Sequence, residues 1–201
     1  MEREVLVSGV GGQGVQLAAQ TLARAAALEG REVTLFGVYG GTMRGGNTDS
    51  TVVIGDAPIE AAPIISRAWS AIVMSLQFWE PGGRGTGLSR KLEPGGLVLL
   101  NSSLAVGGAG PDRDRFQVVE VPASEIASRA GRELGQSMVM LGAYALVTGV
   151  VGVDSLVEGM SQSLPAYRRQ HIADNAAMIR VGHDLSDLRR VPFWDAVGSP
   201  R

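Results

Sequence analysis

Two glycine-dense stretches hold the residues that could do chemistry. The first, SGVGGQGVQLAAQTLA, runs from Ser8 to Ala23, and its Gly9, Gly11 and Gly14 fit a dinucleotide-binding glycine fingerprint. Glycines after a strand permit a tight turn and close approach by a ligand or another backbone. The helix that follows presents unpaired N–H groups and about half a positive charge, so an anion can bind there. A nicotinamide cofactor also needs an acidic residue roughly 20 residues on, at the end of the second strand, to hold its ribose. That strand ends FGVYGG, with Glu32 at its start and no carboxylate at its tip. The missing acid argues against a bound dinucleotide. Two uses stay open for Gly11, Gly12, Gln13 and Gly14: a backbone surface for a phosphate or a partner, or close packing of helix on sheet and nothing more.

The second stretch, YGGTMRGGN, covers Tyr39 to Asn47. It should leave the carboxyl end of the second strand, the edge of an open α/β sheet where ligands bind. Arg44 lies between Met43 and Gly45-Gly46, so its planar fork has little steric shielding from a carboxylate or a phosphate. Asn47 can add an amide donor. The plainer alternative is a surface arginine paired with a carboxylate of its own chain or of a partner. Residues 11–14 and 39–47 are therefore expected to meet on one rim and face something outside the polypeptide.

Other chemistry has little support. The chain has no cysteine, which excludes disulfides, thiolate metal sites, iron–sulfur ligation and a cysteine nucleophile from this chain alone. His171 and His183 are too few for a histidine-rich metal site. His171 sits among Arg168, Arg169 and Asp174 and reads as a surface or interface residue; His183 reads as the end of the last helix. Ser75, Ser102 and Ser103 have no neighbouring histidine, and no G-x-S-x-G is present. A formal charge of −2 with dispersed arginines leaves no nucleic-acid footprint. The start, MEREVLVSG, lacks the plan of a signal peptide. The uncharged run from Ser137 to Val153 reads as a buried or interface helix rather than a membrane span. No membrane contact is expected, and a cytoplasmic location is the default. Trp69, Trp79 and Trp194 suit buried packing or an anchor on another subunit.

The elements that must position the two loops follow from hydrophobic spacing. Strands are expected at Glu4 to Ser8, Val33 to Val38, Ser50 to Ile54, Ala71 to Leu76, Leu97 to Asn101 and Phe116 to Val121. The first helix, Gly14 to Leu28, carries Val15, Ala18, Leu22 and Ala25 on one face and stops at Gly30. This strand–helix–strand unit favours parallel pairing with a right-handed crossover. After Pro122 the chain turns helical: Ser124 to Leu134, Ser137 to Val150, a third helix capped by Asp154 and a fourth begun by Pro165. The fold class is α/β, a Rossmann-like three-layer domain with a mostly parallel sheet and a helical C-terminal portion. The 201 residues form one domain: a sheet core over about 1–121, helices over about 122–183 and a tail over 184–201 that frays at DAVGSPR.

Together, GVGGQGVQLAAQTLARAA and YGGTMRGGNTDSTVVIG resemble the gamma subunit, or gamma domain, of the 2-oxoacid:ferredoxin oxidoreductases. That family includes pyruvate, 2-oxoglutarate, branched-chain and indolepyruvate enzymes. The Gly-Gly-Gln-Gly at 11–14 and the Arg-Gly-Gly at 44–46 are its most specific marks. The likeness continues through SAIVMSL, GGLVLLNSSL, MVMLGAYALVTGVV and HIADNAAMIRVG to about residue 183.

The resemblance implies an enzyme that decarboxylates a 2-oxo acid on thiamine diphosphate and Mg²⁺. Electrons would pass through iron–sulfur clusters to ferredoxin, and the acyl group to coenzyme A. It implies thiamine-binding alpha and beta subunits and a ferredoxin-like subunit as partners, with homodimer formation conceivable for the isolated chain. The gamma piece would lie near the active centre and assist coenzyme A access. Because both loops leave the same sheet edge, Gly11, Gly12, Gln13, Gly14, Arg44, Gly45, Gly46 and Asn47 are the expected cofactor-binding residues, with Arg44 meeting a coenzyme A phosphate or a partner carboxylate. The thiamine–metal signature, Gly-Asp-Gly followed by Asn, is missing here: GDA at 55–57 lacks the third glycine. The chain alone is expected to be inactive. A self-contained nucleotide-binding oxidoreductase and a purely structural subunit are the rival readings.

Overall fold

The computed structural model describes residues 1–39, 46–59, 67–82, 85–104 and 110–194. Strand β1 (Glu2–Val10) is apolar on both faces, with Val5 and Val7 buried on one side and Leu6 on the other. The chain turns at 11–14 and enters α1 (Val15–Leu28), whose Ala18, Leu22 and Ala25 are fully buried. Gly30, at φ 77°, takes the left-handed conformation that ends this helix, as its position in the sequence implies. There follow β2 (Glu32–Tyr39), β3 (Asn47–Gly55), β4 (Ala68–Val73), a small hairpin of β5 (Pro81–Gly82) and β6 (Gly85–Thr86), then β7 (Leu92–Asn101) and β8 (Gln117–Val121).

The six long strands form one sheet in the order β2-β3-β1-β4-β7-β8. Strands β1, β4, β7 and β8 pair in parallel, while β3 runs antiparallel to both β1 and β2. The expected parallel contact between the first two strands is therefore not made. They run the same way, but β3 fills the gap between them, with Thr51 facing Leu6 on one side and Phe36 on the other.

Four further helices follow or flank the sheet: α2 (Ala123–Arg129), α3 (Gln136–Thr148), α4 (Val153–Ser163) and α5 (Ile172–His183). Helix α2 ends earlier than the sequence suggests because Gly131 turns left-handed at φ 66° and the Arg132 N–H returns to the Ala127 carbonyl. Asp154 does not cap α4. It lies in the first turn, paired with Arg180, and Gly152 is the cap residue. Pro165 opens a 3-10 turn over Ala166–His171 rather than the last helix, since every residue of that polar stretch is exposed and no apolar face exists to dock.

Helices α1 and α3 pack on one sheet face, over Val5, Val7, Ile72, Leu97, Leu99 and Val121, and α4 and α5 pack on α1 and α3 in turn. The opposite face, with Leu6, Val73, Val98 and Leu100, is covered by Trp79, Leu88 and Phe116 from short turns. A thick helical layer and a thin one thus enclose the sheet. The uncharged run supplies α3, buried from Ser137 to Thr148. Gly142 and Gly182 let α3 and α5 touch through their backbones: a Cβ at either would stand 1.9 or 2.0 Å from a carbonyl oxygen of the other helix. Among the described residues, no helix is long and apolar enough to cross a membrane.

The segment after α5 returns to the core. Phe193 is fully buried, edge-on to Trp69 at 5.1 Å, and Arg3 lies over the Trp69 ring at 4.4 Å. Trp79 packs edge-on to Phe116 on the thin side, so its role is internal. The stretch expected to fray, from residue 195 on, lies outside the described residues.

Candidate functional site

The rim forms where the end of β1 meets the start of β3. Gly9 faces Thr48 and Val10 faces Asn47, and one step further the Gly11 N–H donates to the Gly46 carbonyl at 3.0 Å. Residues 11–14 and the exit of the 39–47 stretch are thus joined by a backbone hydrogen bond at a single sheet edge. Arg44 and Gly45 lie outside the described residues.

The turn itself is built by Gln13. Its N–H donates to the Val10 carbonyl at 3.0 Å, and its Oε1 accepts the Val10 N–H at 2.8 Å. The Gln13 side chain is therefore spent on closing the strand end. The glycines divide between the two uses left open by the sequence. A Cβ on Gly9 would stand 2.6 Å from Gln13 Oε1, and one on Gly14 2.5 Å from Ser137 Oγ, so both are packing requirements. Gly12, at φ 104°, would meet nothing within 4 Å and faces open space. Gly14, at φ 80°, caps α1 without a side chain, so the first-turn N–H groups of that helix receive no side-chain acceptor from their cap.

Those N–H groups border a cleft of about 1010 Å³. The starts of α3 and α5 and the end of α4 form its other walls, with Ser137, Met138, Asn175, Met178 and Leu164 among the lining side chains. Helix N-termini favour an anion, and three of them meet at this cleft, with Glu133 and Asp174 also in its lining. Arg168 and His171 stand at its exposed margin, and Arg132 Nε is held by Asp174 at 2.8 Å. Leu134, 83% exposed, adds an apolar edge. Gln16 Nε2 is buried at the cleft without a hydrogen-bond partner. Further along the same edge the groups are closed: Asn101 Nδ2 donates to Ser124 Oγ at 2.9 Å, and the Ser124 hydroxyl donates to Gln136.

Asn47 behaves differently from the sequence reading. Its Nδ2 does not face outward but donates to Asp49 Oδ2 at 2.9 Å, and its Oδ1 is buried without a partner. The cleft walls at 131–138 and 163–178 were not visible as site residues in the sequence. His171, among Arg168, Arg169 and Asp174, reads there as a surface or interface residue, and the stretches from Met138 and from His171 carry the family likeness without marking a site.

Residues 4–185 match the family model described as pyruvate ferredoxin/flavodoxin oxidoreductase. The chain belongs to that family. Within it, the chain is a gamma-type subunit of the 2-oxoacid:ferredoxin oxidoreductases. It is 32% identical to the 2-oxoglutarate synthase subunit KorC of Methanocaldococcus jannaschii, over 82% of this chain and 85% of that one. It is 30% identical to the pyruvate synthase subunit PorC of Methanothermobacter thermautotrophicus, over 87% and 92%. The crystal structure of pyruvate oxidoreductase subunit PORC from Thermotoga maritima superposes with a TM-score of 0.69 at 26% identity, over 91% of this chain and 96% of that one. A 2-oxoglutarate:ferredoxin oxidoreductase chain of Magnetococcus marinus shares the fold, with a TM-score of 0.76 at 19% identity; the match covers 94% of this chain and 33% of that longer one. In this gamma-type chain the Gly-Gly-Gln-Gly mark is thus a strand-end clasp and a helix start at once.

Proposed function

We propose that the chain works inside a multi-subunit enzyme that converts a 2-oxo acid and coenzyme A to acyl-CoA and CO2, passing two electrons to ferredoxin. Its glycine rim supplies part of the surface that receives coenzyme A. Supporting this reading is the 3.0 Å bond from the Gly11 N–H to the Gly46 carbonyl, which ties both glycine stretches to the cleft bordered by three helix starts. Relatives named as synthase subunits make other subunits expected. Thiamine-binding alpha and beta chains and a ferredoxin-like chain are the partners proposed here.

The residues present fit one of the groups the family implies and not the others. No cysteine is available for an iron–sulfur cluster, and the thiamine–Mg²⁺ signature is missing. Those groups are assigned to the partner chains, and the isolated subunit is taken to be inactive. Coenzyme A, by contrast, brings phosphates suited to free helix N–H groups and to arginine. The first turn of α1 and Arg168 offer donors; Leu134, Pro165 and Met178 offer apolar cover. Arg44 is proposed to meet a phosphate. In the reconstituted enzyme, Arg44→Ala then raises KM for coenzyme A with kcat unchanged, by the equivalent of about 1.5–3 kcal/mol for one lost charge-assisted bond. Weaker subunit assembly at unchanged KM would instead assign Arg44 to a partner carboxylate. Tight NAD(P) binding by the isolated chain, or 2-oxo acid oxidation without partners, would overturn the proposal.

A further inference from the structure

Beneath the rim, on the thin side of the sheet, Asp49 is only 4% exposed and accepts from three donors. Ser8 Oγ donates from β1 at 2.6 Å, Asn47 Nδ2 from the start of β3 at 2.9 Å, and Lys91 Nζ from the turn before β7 at 3.3 Å. Lys91 is the chain's only lysine. An ionised carboxylate has no proton to give, so the Asn47 amide must turn its NH2 group toward Asp49. Asn47 Oδ1 is thereby driven into a position where it is enclosed and unpartnered. Packing alone does not favour such an atom, since enclosed acceptors are normally paired. Asn47 is bonded directly to Gly46, whose carbonyl clasps Gly11. One buried charge therefore governs the side chain next to the bond that joins the two glycine stretches.

We propose that Asp49 is a positioning residue for the rim, acting through Asn47 on the Gly46–Gly11 clasp. The proposal rests on the rim's role in receiving coenzyme A. Its substitution by asparagine tests polarity with little change of shape. In Asp49→Asn one carboxylate oxygen becomes an NH2: set toward Asn47 it opposes that amide, and set toward the Ser8 hydroxyl it leaves an uncharged oxygen to hold Asn47, so the hold on Asn47 weakens either way. Lys91 is half-exposed and can turn to water.

The test uses the reconstituted enzyme and measures KM for coenzyme A, KM for the 2-oxo acid, and kcat. Asp49→Asn should raise KM for coenzyme A about tenfold, the equivalent of about 1.4 kcal/mol, and leave the other two within twofold. The double variant Asn47→Asp/Asp49→Asn returns a carboxylate to the pair with its polarity exchanged and should recover most of the loss. Backbone amide exchange at 46–48 in the isolated chain should quicken in Asp49→Asn, with the remaining sheet unchanged. An unchanged KM for coenzyme A in Asp49→Asn, beside a raised one in Arg44→Ala, overturns the positioning role and spares the rim. No change in either variant overturns both. Should Asp49→Asn not fold, Asn47→Leu carries the test: it removes the governed side chain and leaves Asp49 with Ser8 and Lys91. It too must raise KM for coenzyme A, and an unchanged value overturns the proposal.

Discussion

The two ends of α3 are finished in opposite ways. At its C-terminus the last carbonyls are taken up by the chain itself. Arg190 donates to Leu146, the Val191 N–H to Val147 at 2.8 Å and the Phe193 N–H to Thr148 at 2.7 Å. Arg3 and Arg31 lie over Trp69 and Trp194, and among the unpartnered buried atoms only Trp194 Nε1 belongs to this end. At its N-terminus α3 shares a cleft with the starts of α1 and α5, where Gln16 Nε2 has no partner and α1 has no side-chain cap. Backbone groups left open in a folded chain must find partners elsewhere. One end of the helical layer is thus completed internally, and the other leaves α1 without a side-chain cap and Gln16 Nε2 without a partner.

If so, variants at the closed end should cost stability and spare KM, and variants at the rim should raise KM for coenzyme A. Phe193→Ala is the largest expected effect. Removing a fully buried aromatic costs about 3–5 kcal/mol, read as a lower urea midpoint of the isolated chain. Coenzyme A affinity of whatever complex still assembles should not change. Gly142→Ala comes next. Its Cβ would stand 1.9 Å from the Ile179 carbonyl, and overpacking costs about 1–3 kcal/mol or more.

At the rim, Gly14→Ala and Gly12→Ala separate the two uses of glycine. Both demand a positive φ from a residue with a Cβ, which costs on the order of 1–3 kcal/mol. Gly14→Ala also presses on Ser137, so it should disturb the cleft and raise KM for coenzyme A as well as lower the midpoint. Gly12→Ala meets no neighbour, so whatever it does to KM comes from the backbone alone. If neither variant moves KM, the glycines serve packing and the contrast between the two ends collapses.

How much of this was legible beforehand follows the range of the interactions. The β1–turn–α1 unit was readable because its apolar spacing, its glycines and its Gly30 stop all act within a few residues. The Ser137 to Val153 run was readable as buried because it has no charge to solvate. The position of β3 was not readable, since nothing local says that Asn47–Gly55 will slot between two strands running the other way. The cleft was not readable because its walls come from helix starts more than a hundred residues apart. Nor was the closed end: Val191 and Phe193, separated by Pro192, show no periodicity and follow a polar stretch. They lie beyond residue 185, where the family match stops, yet they complete α3.

The smallest expected effect tests whether the closed end is also electrostatically balanced. Glu4, half-buried on β1, has its carboxyl pushed above the ordinary range, first by desolvation and then by the nearby Glu93 and Glu2 charges. A carboxyl whose folded pKa exceeds its unfolded one binds its proton more tightly in the native state. Stability from this group is therefore fully present below the ordinary carboxylate value near 4.5. It is lost as pH rises through the raised folded value. At pH 7, well above the ordinary carboxylate value, the raised pKa counts against folding, so Glu4→Gln should raise Tm there. At about pH 3 the carboxyl is neutral folded and unfolded, and the difference should vanish. A Tm gain of equal size at both pH values would mean that the substitution acts through packing. A loss at pH 7 would mean that the Glu4 charge has a favourable partner and that the closed end is better balanced than its burial implies.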